Sequence, residues 1–274
     1  MFFISIMGVG TKWVGPDYHV AQIVFIRNIF VLMPILFMVW KNGGIESLRV
    51  NDKKGLAIRA FFQFGAASFI ATTLILLPLA DAEALFFAAP LLMAFLSARM
   101  LGERVGWRRK TAIAVGLLGV LIMLRPTPDL IQPTALFGVA AAIFIALRDI
   151  WTRKLREGET ANAIMFWSEM GVLAGSLPIA LYFWQPVTMN DVGVMAFAGF
   201  FLGAAQFVMA VAFLTAEVAT VAPFRYTVIL LTTLFGYLFF DDIPDGFVIA
   251  GVSVVIGSGL YILRREAHRT ADPA

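Results

Sequence analysis

Cysteine is absent from the 274 residues, and histidine occurs only twice, at His19 and His268. The first absence excludes disulfides, thiolate chemistry and Cys-ligated zinc or iron–sulfur centres. With two histidines, both expected outside the apolar runs, a haem or multi-histidine metal site has nothing to be built from, so no cofactor and no metal is expected. Charge is also scarce. Asp, Glu, Lys and Arg make up 14% of the chain, against about 25% in an ordinary soluble domain. A soluble core of this length needs more polar residues to cover its surface. No Gly-x-x-x-x-Gly-Lys-Ser/Thr phosphate loop occurs either, so ATP is not a direct energy source.

What is abundant is apolar. The hydrophobic set reaches 60%, with 26 Phe and 23 Gly, and the mean hydropathy is +0.86. The chain is therefore read as an all-α integral membrane protein, and nucleic-acid binding is excluded despite the formal charge of +3. In such a protein basic residues report orientation. The apolar runs lack the alternation of a membrane barrel. A membrane helix needs about 20 mostly apolar residues. With Gly, Pro and charge as punctuation, ten helices are expected, at 1–14, 20–40, 60–79, 82–101, 110–125, 134–154, 162–184, 192–214, 218–239 and 245–263. Most of the 21 Lys and Arg then fall on one side, against only Lys12 and Arg125 opposite. That bias puts both termini in the cytoplasm of a cell that holds the protein in its plasma or inner membrane. No signal peptide is visible, because the apolar start lacks a basic flank and a small-residue cleavage site.

The chain also repeats itself. Residues 58–125 and 197–264 align without a gap: Phe61-Phe62 falls on Phe200-Phe201, and Ala66, Ala71 and Ala80 fall on Ala205, Ala210 and Ala219. The turn Leu101-Gly102-Glu103-Arg104 falls on Phe240-Asp241-Asp242-Ile243. Upstream the offset lengthens by two, so that Phe25 meets Phe166 and Lys12 meets Arg153. Five helices per copy make the second copy enter the membrane inverted, the architecture of secondary transporters with a site near the midplane. The domains are a first repeat at 1–125, a second at 126–264 and a tail at 265–274. By the same alignment helix one is short at its start. Its fourteen residues rise only about 21 Å against a roughly 30 Å hydrocarbon core, so either the start codon is assigned late or the helix tilts and thins the bilayer.

Several motifs carry a family resemblance. They are Gln22-Ile23-Val24-Phe25-Ile26-Arg27 opening helix two, Leu79-Ala80-Asp81-Ala82 before helix four, Pro90 within it, and Leu101-Gly102-Glu103-Arg104 with Gly119 sixteen residues after Glu103. In order and spacing the chain resembles the drug/metabolite transporter superfamily, and within it the ten-helix EamA-type permeases. The second half departs, with Asp241-Asp242 for the usual Gly-Glu and Ser258 opposite Gly119. The resemblance implies two inverted five-helix repeats, a central cavity open alternately to each side, and transport of solutes such as amino acids and their derivatives, nucleosides, vitamins or toxic metabolites.

Polar groups inside a bilayer cost roughly 2.5–3.5 kcal/mol each on insertion scales, so each is a functional candidate. Arg27, followed by Asn28, lies about two turns into helix two; its guanidinium suits a substrate carboxylate or phosphate, or snorkels or pairs structurally. Glu169 is the acid of the second repeat near the matching position. It suits a substrate amine or a coupling proton, or a structural ion pair with Arg27 or Arg148. Asp149 is a second proton-coupling candidate, and its neighbour Arg148 reads first as a snorkelling residue. Arg225 and Tyr226 follow Pro223 in helix nine, where a freed carbonyl opens the helix end for a gate contact. Gln63 and Gln206 suit cavity lining or interhelical hydrogen bonds. Trp167 could stack on a planar ligand, although packing against lipid is the commoner role of an aromatic here.

Three function classes compete. A secondary transporter of small polar or amphipathic metabolites, with protons as a possible coupling partner, fits the repeat and the buried charges. A membrane-embedded enzyme acting on lipid or a lipid-linked substrate needs an acid, base or metal cluster at one face; its only candidates are Asp81 with Glu83 and Asp241 with Asp242 and Asp245. A scaffold or sensor has no soluble domain for readout. The partners expected are a small-molecule substrate and membrane lipids. Substrate identity, direction and the choice between monomer and homodimer stay open.

Overall fold

The computed structural model describes residues 2–100, 107–124, 133–215 and 227–271, and all the regular structure among them is helical. Eleven α-helices are described: α1 Phe2–Trp13, α2 Val20–Lys41, α3 Lys53–Leu76, α4 Leu79–Phe86, α5 Ala88–Met100, α6 Trp107–Leu124, α7 Pro133–Leu155, α8 Ala161–Tyr182, α9 Met189–Thr215, α10 Thr227–Phe240 and α11 Gly246–Ala271. A 3-10 turn, Gly44–Leu48, follows α2. Among the described residues six stretches are long and apolar enough to cross a membrane: Val20–Lys41, Lys53–Leu76, Leu79–Leu96, Thr134–Leu155, Ala161–Tyr182 and Met189–Val208. Shorter apolar helices cover Thr111–Met123, Thr227–Phe240 and Gly246–Tyr261.

The helix boundaries have local causes. The Asp52 carboxylate caps α3 by accepting from Gly55 N at 2.9 Å, so the helix starts seven residues before the expected 60 and takes in Arg59. The Thr160 hydroxyl caps α8 through Ala163 N at 3.0 Å. Asp245 Oδ1 accepts from Phe247 N and Val248 N, both at 3.0 Å, and starts α11. That helix continues to Ala271, so the basic segment expected to be a separate tail prolongs it. The expected helix four is two helices broken at Phe87. Pro90 is the cause: it lacks the N–H that would bond the Phe86 carbonyl, and its ring crowds that carbonyl. Asp241 closes α10 with φ 53, at the position aligned with Gly102. A left-handed residue is needed there, and Asp tolerates that conformation better than most.

Packing follows small residues. A Cβ on Gly199 of α9 would collide with the Arg27 carbonyl and lie 3.0 Å from Phe30 Cβ of α2. One turn on, Gly203 sits against Val31 and Pro34. On the other flank, Gly171 and Gly175 of α8 sit against Ala60 and Phe64 of α3. At a separate seam α6 crosses α11, with Gly116 against Ser258 and Gly119 against Gly251 and Val255. Lipid tails are as apolar as leucine, so close backbone approach of this kind, rather than hydrophobic burial alone, holds membrane helices together.

Two faces are fastened by loop contacts. At one, Tyr18 Oη donates to Asp191 Oδ2 at 2.6 Å, a bond that holds the Tyr18 phenol above its ordinary pKa. Beside it Gln22 Nε2 donates to the Gln185 carbonyl at 2.8 Å, and Lys12 pairs with Asp242. At the opposite face Glu159 Oε1 accepts from Asn51 N at 2.7 Å and from Asp52 N, while Asn162 donates to the Asn42 carbonyl at 3.0 Å. We refer to these as the Tyr18 face and the Lys53 face.

The α2–α9 seam gives a direct test. Gly199→Ala is expected to lower the melting temperature of the purified protein by several degrees, since overpacking costs about 1–3 kcal/mol. Gly193→Ala, on the same helix with nothing within 4 Å of the added Cβ, should be neutral or slightly stabilising, because Ala is the better helix former.

Candidate functional site

Between the two faces lies a group of buried polar side chains. At its centre is Glu169, 2% exposed, carried by α8. Asn28 Nδ2 of α2 donates to Glu169 Oε2 at 2.6 Å. Gln63 Nε2 of α3 donates to Oε1 at 2.8 Å, and Gln206 Nε2 of α9 donates to the same oxygen at 3.3 Å. Three neutral amides from three helices therefore hold one carboxylate, with no cation within 4 Å of it among the described residues. The Oδ1 of Asn28 is buried and unpartnered.

Arg27, also 2% exposed, points elsewhere than the sequence suggested. Its Nη1 donates to Thr11 Oγ1 at 3.1 Å and lies 3.5 Å from the Met7 sulfur, both on α1. Its Nε is buried without a partner. Among the described residues no carboxylate lies within 4 Å of its guanidinium. An ion pair between Arg27 and Glu169 is thus not formed, because consecutive positions on α2 point about 100° apart. Asn28 takes the direction of α8, and Arg27 that of α1.

Toward the Lys53 face, Arg148 pairs with its neighbour Asp149 (Nη2 to Oδ1, 2.8 Å) and donates from Nη1 to Gln63 Oε1 at 3.5 Å. The expected snorkelling of Arg148 is replaced by this pairing, which a bent-back side chain allows even at adjacent positions. Arg59, which falls just before the expected start of helix three at 60, is buried here. Its Nε donates to Thr152 Oγ1 at 3.0 Å and its Nη1 to the Ile164 carbonyl at 3.1 Å. The signal that could have found it is Asp52, a strong helix cap placed just before the basic residues.

Of the candidate residues, then, Asn28, Gln63, Glu169 and Gln206 converge, Arg148 and Asp149 adjoin them, and Arg27 lies one helix away. Trp167 does not join them: it is 42% exposed, and its indole donates to the Leu48 carbonyl at 3.0 Å near the Lys53 face. That location suits an interfacial aromatic better than a ligand stack. Arg225 and Tyr226 lie outside the described residues. Of the acids weighed for an enzyme, Asp242 pairs with Lys12 and Asp245 caps a helix. No group of three or more His, Asp or Glu able to hold a metal occurs among the described residues. The groove between α6 and α11, lined by residues such as Thr111, Val115 and Tyr261, carries no charge.

If Glu169 is replaced by Leu, three amides, two of them buried, lose their acceptor, at about 1–3 kcal/mol for each buried donor left unsatisfied. Glu169→Leu should therefore lower the melting temperature far more than Ser176→Ala, whose hydroxyl bonds only its own helix backbone. Equal melting of the two variants would mean that the amides do not depend on the carboxylate.

Residues 1–125 match the EamA-like transporter family. Over 265 residues the chain is 26% identical to an S-adenosylmethionine uptake transporter of Rickettsia prowazekii (strain Madrid E), covering 96% of this chain and 89% of that one. It is 31% identical over 199 residues to a riboflavin transporter of Rhizobium johnstonii, covering 72% and 66%. A pseudopaline exporter of Pseudomonas aeruginosa is 25% identical, with 97% and 93% covered. A solved crystal structure superposes with TM-score 0.67 at 19% identity, over 96% of this chain and 95% of the other, which shows the fold. A multi-pass helical chain whose first 125 residues match the EamA-like transporter family, and whose relatives are named as uptake and export carriers, belongs to the drug/metabolite transporter superfamily as an EamA-like transporter.

Proposed function

We propose that this small-metabolite transporter works by alternating access between two inverted five-helix repeats, 1–125 and 126–264, and that its substrate is a zwitterion. In this account α4 and α5 together form one span, so the described helices make ten spans. Matched contacts support the repeat. Asn28 and Glu169 occupy equivalent positions in the two copies and bond each other, as residues beside a two-fold axis do. Phe30 against Gly199 corresponds to Gly171 against Ala60, and Pro34 against Gly203 corresponds to Gly175 against Phe64, with large and small exchanged. Gly116 against Ser258 likewise corresponds to Val255 against Gly119. Phe3 on Phe201 corresponds to Phe144 on Phe62, with ring centroids 5.1 and 5.9 Å apart.

One observation carries the substrate class. Glu169 and Arg27 are both buried, carry opposite charge, and have no counterion within 4 Å among the described residues. An isolated buried charge is costly unless paired. A ligand with an ammonium for Glu169 and a carboxylate for Arg27 would satisfy both. S-adenosylmethionine, named for one group of relatives, has both groups in its amino-acid end; riboflavin, named for another, has neither. Between ligands a proton can neutralise Glu169, which would couple transport to a pH gradient. The Lys53 face is taken as cytoplasmic, with both termini on that side, in a plasma or inner membrane; the protein is taken as a monomer or homodimer.

Reconstituted vesicles test this. Wild type should accumulate labelled S-adenosylmethionine, and Arg27→Ala should abolish that uptake while the protein still folds. Glu169→Gln should impair accumulation driven by a pH gradient more than exchange between the two sides, since exchange need not cycle the proton. Full gradient-driven accumulation by Glu169→Gln would remove Glu169 from coupling.

Orientation is tested by single cysteines, clean probes in a chain that has none. Lys53→Cys should react from the cytoplasmic side only and Ile243→Cys, on an exposed turn, from outside only. Reaction of position 53 from outside would overturn the topology.

A further inference from the structure

The contacts of Arg27 have a counterpart at the opposite depth. Thr11 and Thr152 are equivalent positions of the two repeats, and so are Met7 and Arg148, by the same offset that relates Asn28 to Glu169. Each threonine donates to the carbonyl four residues before it, Thr11 to Met7 at 2.9 Å and Thr152 to Arg148 at 2.8 Å. Each then turns its oxygen toward a buried arginine, Thr11 toward Arg27 and Thr152 toward Arg59. Arg59 begins about 9 Å along α3 from the Lys53 face, and Arg27 about 10 Å along α2 from the Tyr18 face, at 1.5 Å per residue. Like Arg27, Arg59 has no carboxylate within 4 Å among the described residues; its partners are a hydroxyl and a carbonyl, both neutral. Arg148 lies near enough to repel it, and two acids attract it, Glu169 and then Asp149; Asp149 is bonded to Arg148, and Glu169 accepts from three amides. With Asp149 bonded to Arg148, and Glu169 reserved for the substrate ammonium in the zwitterion reading, Arg59 keeps no acid of its own and has room for one more anion.

We propose that Arg59 and Thr152, flanked by Arg148, form a second carboxylate subsite on the cytoplasmic side, the repeat counterpart of Arg27 and Thr11 on the outer side. The ammonium of the substrate stays on Glu169 near the axis, and its carboxylate passes from Arg27 to Arg59 as access alternates. This rests on the zwitterion reading of the same site. It explains why a buried arginine is needed at both depths when only one copy of the repeat carries the central acid. It also explains why the two arginines come from different helices: each is placed where the equivalent threonine of α1 or α7 can orient it.

Side-specific kinetics in vesicles of known orientation test the handover, with labelled S-adenosylmethionine as the probe. Arg59→Gln should raise the half-saturating concentration measured from the cytoplasmic side tenfold or more, and change the outer-side value less than twofold. Thr152→Val, nearly isosteric and with its fold checked by melting temperature, should give a several-fold change on the cytoplasmic side alone, and Thr11→Val the same on the outer side alone. Equal effects on both sides, or none from Arg59→Gln and Thr152→Val, would overturn the second subsite. Wild-type vesicles that carry no S-adenosylmethionine would overturn it together with the zwitterion reading. Riboflavin uptake by those same vesicles would leave transport itself standing.

Discussion

Everything polar in the centre of this protein is arranged around one carboxylate held by amides. Glu169 accepts from Asn28, Gln63 and Gln206, and so ties α8 to α2, α3 and α9. Neutral donors satisfy the oxygens of a carboxylate without cancelling its charge. A guanidinium in their place would make a closed ion pair, stable but with little left to offer a ligand. Amides keep the charge available, and the nearby arginines are each held by oxygen or sulfur of neutral groups or by a different acid. The Glu169 carboxylate is therefore satisfied in hydrogen bonds and unsatisfied in charge, a condition that a charged substrate or a proton can relieve.

The surrounding helices make that arrangement repeatable in two states. The seams of α2 with α9 and of α3 with α8 use small residues at matched positions, with the bulky partner on one side in the first and on the other in the second. Helices packed this closely slide or rock as units rather than deform. The fastenings at the two faces are polar and modest in size, Tyr18 with Asp191 and Gln22 with Gln185 at one, Glu159 with Asn51 and Asp52 at the other. Contacts of that strength can open and close within the energy of substrate binding, about 1 kcal/mol net for each hydrogen bond.

Much of this was legible from the chain. Apolar runs and breaks gave most helix positions to within a few residues, and the inward-facing polar residues of the centre stood out because membrane helices carry so few. What escaped was rotation. Periodicity places Arg27 and Asn28 at a depth, but their neighbours on α1 and α8 decide which of them meets Glu169. Arg59 escaped for a different reason: a basic cluster reads as a loop by composition, while Asp52 had already started the helix. Trp167 was legible as an aromatic near Glu169 in sequence, yet adjacent helical positions diverge, and its indole reaches the Leu48 carbonyl instead. The break at Phe87 traces to Pro90, whose missing N–H falls on the Phe86 carbonyl four residues upstream.

The central claim is that the site waits for a ligand bearing both charges. Calorimetric titration of the purified wild-type protein with S-adenosylmethionine and with its decarboxylated form tests it most directly, because the two differ only in the carboxylate. The account predicts that loss of the carboxylate weakens binding at least tenfold, about 1.4 kcal/mol. Equal affinity for the two would contradict it.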